Sequence, residues 1–96
     1  MSKVKIIGNT KFDKARIENH IVELIKGRLM TIKEDLQELD KKISSFRKKY
    51  NLTNEEFLTK FESGSLGDEE DFFTWKGTIK MHKALYEEQE LLRETL

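Results

Sequence analysis

The chain has 96 residues, of which 18 are Lys or Arg and 18 are Asp or Glu, so its formal net charge is zero. Charged residues make up 38% and hydrophobic residues 36%. No run of about 18 apolar residues is present, which excludes a membrane-spanning helix. Cysteine is absent, which excludes disulfide scaffolds, thiolate zinc sites and thiol nucleophiles, and no proline interrupts long helices. This composition predicts one all-α domain and disfavours compact β folds and α/β enzymes.

Residues 1–11 have two interpretations. Residues 3–7 alternate briefly between Lys and apolar side chains before Gly8 and Asn9, as in a short strand that ends in a turn. A loose tail is the usual behaviour of a chain end, and we favour the tail. Since the N-terminal residues contain neither the apolar stretch nor the cleavage site of a signal peptide, we expect an unprocessed cytoplasmic protein.

A long helix is predicted over residues 12–50. Nine apolar or aromatic residues recur there in alternating steps of three and four, which places them in one stripe along an α-helix. At 1.5 Å per residue, this stripe is about 43 Å long. We call these nine residues the seam and expect them to pack against other helices and to form an oligomer interface. They are Val22, Ile25, Leu29, Ile32, Leu36, Leu39, Ile43, Phe46 and Tyr50.

Two further helices are predicted, a short one over 53–62 and a long one over 68–96. Thr53 and Glu56 have the spacing of a capping box, in which each side chain binds the other residue's backbone N–H. The acidic residues 68–71 suit the start of the third helix, because carboxylates complement the positive end of the helix dipole. The stripe of this third helix comprises Phe72, Trp75, Ile79, His82, Leu85 or Tyr86, Gln89, Leu92 and Leu96.

The two long helices are expected to match in length and to form an antiparallel helical hairpin with the short helix at the bend. Charge supports this pairing: residues 1–50 hold 13 basic and 7 acidic residues, whereas residues 51–96 hold 5 and 11. In the hairpin, the basic residues 47–49 would lie near the acidic residues 68–71. We favour this intramolecular complementarity over the alternative that the basic half binds nucleic acid.

Residues that could carry chemistry are few. His20 and His82 would lie about 24 Å apart along the hairpin, so they cannot share a metal ion or a reacting atom. We expect His82, which lies on the apolar stripe, to be a hydrogen-bonded interior or interface histidine. The acidic residues 68–71 lack the spacing of a calcium loop. Gly64 and Gly67 are expected to supply positive backbone dihedrals in a turn. We therefore expect no enzyme, no cofactor and no metal site.

Aromatic residues are concentrated around the predicted bend, where seven of the nine lie between positions 46 and 75. We favour a small aromatic core as their main role, with a docking surface as the alternative. Phe72 and Phe73 are consecutive, so they cannot both face inward from one helix. The candidate partner-binding residues are Phe57, Phe61, Phe72, Phe73 and Trp75.

The segment 46–75 resembles a segment of small archaeal and bacterial antitoxin-like proteins. Its sequence is FRKKYNLTNEEFLTKFESGSLGDEEDFFTW, and Asn51 stands where the family usually has Gly. The resemblance covers about a third of the chain. It implies the helical antitoxin-like member of a toxin–antitoxin pair whose toxin is encoded alongside, and no catalytic residue carries over. The matching residues are Phe46, Lys49, Tyr50, Phe57, Gly64, Leu66, Gly67, Asp68, Asp71, Phe72 and Trp75.

A lone hairpin covers only one side of each long helix, and burial is marginal in a chain of this length. We therefore expect a homodimer that forms a four-helix bundle or coiled coil. The predicted function is a non-enzymatic protein-binding module, in particular an antitoxin that binds a co-encoded toxin. One alternative is a purely structural coiled-coil homodimer. Another is a nucleic-acid-binding or autoregulatory protein that uses the basic residues Lys3, Lys5, Lys11, Lys14 and Arg16.

Overall fold

The computed structural model describes residues 11–96, with side chains from Asp13 onward, as three α-helices. These are α1 (Lys11–Tyr50), α2 (Asn54–Glu62) and α3 (Glu70–Thr95). The helices α1 and α3 pack against each other in antiparallel directions, and α2 lies across the bend. The predicted all-α helical hairpin is confirmed. The interpretation of residues 1–10 as tail or strand lies outside the described residues.

The seam of α1 faces α3 within the same chain. All nine seam residues are at least half-buried, and Ile32, Leu39 and Ile43 are buried. The stripe therefore stabilises the hairpin itself, by removing apolar surface from water. Its additional use between two chains stays a prediction.

Both ends of the bend follow local sequence signals. The predicted capping box at α2 is confirmed: the Glu56 backbone N–H donates to Thr53 Oγ1, and the Thr53 N–H donates to Glu56 Oε1, each at 3.1 Å. Asn51 ends α1 with a φ of 53°, and Gly64 follows α2 with a φ of 75°. The expectation for Gly67 is wrong, since among the described glycines only Gly64 has a positive φ.

The two long helices differ in length, which corrects the expected match: α1 has 40 residues and α3 has 26. Arg28 lies opposite Glu88, and α3 ends at Thr95, which is level with residue 21 of α1. Residues 11–20 therefore continue α1 by about 15 Å past the end of α3. We call this segment the overhang. The start of α1 was predicted to within one residue, but the expected match compared residues 68–96 with the seam, which begins at Val22, and not with the whole of α1.

Along the described part of the chain, no helix combines the length and the apolar character needed to cross a bilayer.

Candidate functional site

The bend is held together by a stack of aromatic rings. Trp75 and Phe57 are fully buried and stack with ring centroids 3.9 Å apart, and Phe46 stacks on Trp75 at 5.7 Å. The indole N–H of Trp75 donates to Asn54 Oδ1 at 3.1 Å, which ties the first turn of α2 to α3. The hydrogen bond to Asn54 offsets the cost of burying the indole N–H.

A polar cluster at the edge of this core joins the end of α1 to the start of α3. Lys49 Nζ donates to Asp71 Oδ2 at 2.7 Å, and the Tyr50 hydroxyl donates to the same oxygen at 2.5 Å. The hydrogen bonds from Lys49 and Tyr50 lower the pKa of Asp71, and the one to Asp71 raises the pKa of Tyr50. The predicted proximity of the basic residues 47–49 to the acidic residues 68–71 is confirmed at this pair.

The five predicted partner-binding residues fall into two groups. Phe57, Phe72 and Trp75 are buried in the hairpin's own core, so the favoured core role is confirmed for them and their candidacy as partner-binding residues is corrected. Their rings pack on one another because α2 closes over the bend. Phe61 is half-buried, and Phe73 is 56% exposed. The prediction that Phe72 and Phe73 cannot both face inward is confirmed.

Half-buried Phe61 and exposed Phe73 form a small aromatic surface at the bend. Their rings meet edge to face with centroids 5.4 Å apart, and Lys76 Nζ lies 4.8 Å from the centroid of Phe61. We call Phe61, Phe73 and Lys76 the aromatic bend surface. Lys76 was missed by sequence reasoning, although it lies one helical turn after Phe73 and so shares its side of α3.

The two histidines lie apart, as expected from their separation along the hairpin. His82 Nε2 lies 2.8 Å from Asp40 Oδ1, so this half-buried histidine links α3 to α1 as predicted. His20 is exposed on the overhang. Among the described residues, no group of three or more His, Asp or Glu side chains is arranged to hold a metal ion.

A bidentate ion pair joins the helices near the open end of the hairpin, the end far from the bend. Arg28 Nε and Nη2 donate to the two carboxylate oxygens of Glu88 at 2.7 and 2.9 Å. The hydrogen bond from Arg28 lowers the pKa of Glu88. Sequence reasoning missed this pair, because the two residues are 60 positions apart and no local signal links them.

The basic residues proposed to contact nucleic acid are only partly described. Lys14 and Arg16 are exposed on the overhang. Lys3, Lys5 and the side chain of Lys11 lie outside the described residues. The structure therefore brings no basic cluster of the predicted size together within the part of the chain that it describes.

Comparisons of the chain with protein-family models, with curated proteins and with solved structures give no match. The antitoxin-like resemblance of residues 46–75 thus stays a prediction.

Proposed function

We propose that the chain is a non-enzymatic, cytoplasmic protein-binding module that docks on a co-encoded partner protein through its aromatic bend surface. The observation that supports this most directly is that the large aromatic side chain of Phe73, within the continuous helix α3, is 56% exposed. Large aromatic residues are frequent energetic anchors in protein interfaces.

The position of Phe73 suits it to this task. Its neighbour Phe72 is buried among the aromatic rings of the core, and its own ring packs on the edge of Phe61. An anchor that is held in place before binding loses less conformational freedom when the partner arrives. The packing of Phe73 on Phe61 therefore supports an interface anchor that is already positioned before the partner binds.

Lys76 gives the aromatic bend surface one positive charge at its edge. A fitting partner has an apolar pocket for Phe73 and a carboxylate near the rim of that pocket. The resemblance of residues 46–75 to antitoxin-like proteins supports a toxin as that partner, which the chain would neutralise by covering its surface.

Co-expression with the products of the adjacent genes, followed by purification on a tag carried by this chain, tests the proposal. We expect one neighbouring product to co-purify with the wild-type chain and with Tyr86→Ala, which removes an exposed aromatic side chain from α3. Phe73→Ala should lose most of that product. The proposal is wrong if no neighbouring product co-purifies, or if Phe73→Ala retains as much as the wild type.

A further inference from the structure

A second apolar surface lies at the open end of the hairpin, on the side marked by the Arg28–Glu88 ion pair. Residues three, four, seven or eleven positions from either member share its side of the helix. On α1 these include Leu24, which is 60% exposed, and on α3 they include Leu91, which is 59% exposed. We call the whole set the open-end face; it comprises Ile17, Ile21, Leu24 and Leu91.

The open-end face holds three of the eight large apolar side chains that are exposed in the described residues: Leu24, Leu91 and Ile17, the last at 43%. On α1 the face continues onto the overhang, where α3 has already ended. Helices whose apolar surface extends beyond a strict two-position seam are typical of bundles rather than of two-helix coiled coils. The apolar surface at this end is therefore larger than the contact between α1 and α3 of one chain can bury.

We propose that a second copy of this chain covers the open-end face, in an antiparallel arrangement whose two-fold axis passes between residues 20 and 21 of α1. In this register Ile17 of each copy is level with Leu24 of the other, because both lie equally far from the axis. Each overhang then lies beside the open end of the other hairpin, and the same surface is used twice, as two-fold symmetry requires.

Charge favours the antiparallel arrangement. Residues 11–16 include three basic residues and one acidic residue, whereas residues 87–94 include four acidic residues and one basic residue. The proposed register brings Lys14 of one copy level with Glu88 and Glu90 of the other, since Arg28 and Glu88 are level within each hairpin. A parallel dimer would instead place like charges side by side.

This dimer does not depend on the partner proposed for the aromatic bend surface, because Phe73 lies at the opposite end of the hairpin. Phe73→Ala should therefore leave the dimer intact. A dimer without a co-purifying neighbour would contradict only the proposed function, and a monomer that still captures its neighbour would contradict only the dimer.

Sedimentation equilibrium of the full chain from about 1 to 100 μM tests the proposal, a range chosen for the affinity of modest interfaces. We expect a dimer for the wild type and a monomer of unchanged helix content for Leu24→Glu. Met30→Glu is the matched control, because Met30 is 66% exposed on the opposite side of α1 and should stay dimeric. A wild-type monomer, a larger assembly, a dimeric Leu24→Glu or a dissociated Met30→Glu would overturn the proposal.

Oxidative cross-linking provides a second test that does not depend on disrupting the fold. The chain has no cysteine, so a single introduced thiol can only pair with a second copy. Ile21→Cys lies next to the proposed axis and should give a disulfide-linked dimer. Ser45→Cys, near the bend, should stay unlinked. Equal cross-linking of the two variants would contradict the register.

Discussion

Phe57 of α2 and Trp75 of α3 stack face to face, with ring planes only 7° from parallel and neither side chain exposed. This contact joins a helix of nine residues, too short to be stable alone, to the long hairpin. It also fixes which side of α3 faces the core. Phe73 consequently points away from the core, where it belongs to the aromatic bend surface.

Trp75→Ala should lower the free energy of unfolding by about 3–5 kcal/mol, the usual cost of truncating a buried aromatic side chain. The loss includes the stacks with Phe57 and Phe46 and leaves Asn54 without its hydrogen-bond donor. Urea denaturation followed by circular dichroism measures it. Tyr86→Ala, at an exposed position, should change stability by about 0.5 kcal/mol or less. Similar losses in both variants would contradict the assigned core.

Thr53→Ala should lower the free energy of unfolding by about 1 kcal/mol, because it removes the hydroxyl that accepts a hydrogen bond from the Glu56 backbone N–H at the start of α2. The matched control is Thr59→Ala, at an exposed position within the same helix, where Ala is the better helix former. Thermal or urea unfolding of the two variants compares the effects. A control as unstable as Thr53→Ala would show that the cap is not the cause.

Acid should weaken the contact between the end of α1 and the start of α3. Hydrogen bonds from Lys49 and Tyr50 lower the pKa of Asp71 in the folded chain. Its ionised carboxylate therefore contributes stability above the unfolded value of about 4, and that contribution is lost as the pH falls through the lowered folded-state value.

Asp71→Asn tests this pH dependence. The wild type should be more stable than Asp71→Asn at pH 7, and the difference should shrink below about pH 4. Asp68→Asn is the matched control, because Asp68 makes no hydrogen bond or ion pair with the described residues, and its curve should follow the wild type. Urea unfolding at a series of pH values measures all three chains. A pH-independent difference for Asp71→Asn would contradict the assignment.

Reversing the charge of Arg28 should destabilise the open end of the hairpin, since Glu88 would then face another carboxylate. The double reversal Arg28→Glu with Glu88→Arg should recover part of the loss, because it restores an opposite-charge pair. Hydrogen exchange of α3 amides near residue 88 reports the local effect. Additive losses in the double variant would show that the two side chains do not interact.

Features that depend on neighbouring residues or on helical periodicity were predictable from the sequence. The capping box of Thr53 and Glu56 is set by a spacing of three residues, and the seam by the repeat of apolar residues along α1. The opposite facing of Phe72 and Phe73 follows from the angle between consecutive helical residues. These signals were sufficient to predict the helices and the antiparallel direction of the hairpin.

Features that depend on the register between helices were not predictable in the same way. Arg28 lies opposite Glu88 because of the axial offset between α1 and α3. The spacing of residues within either helix carries no information about that offset. The start of α1 was predicted correctly, but the overhang was not, because the expected match in length compared α3 with the seam from Val22 and not with the whole helix from Lys11. Phe57 and Trp75 were placed at the bend, but their complete burial depends on α2 closing over it.

We infer that Phe73 anchors a protein partner at the bend. The most direct test is calorimetric titration of the co-purified neighbour with the wild type, Phe73→Ala and Tyr86→Ala. We expect Phe73→Ala to bind at least about tenfold more weakly, the effect of losing an interface anchor, and Tyr86→Ala to bind like the wild type. Equal affinities for the wild type and Phe73→Ala would contradict the claim.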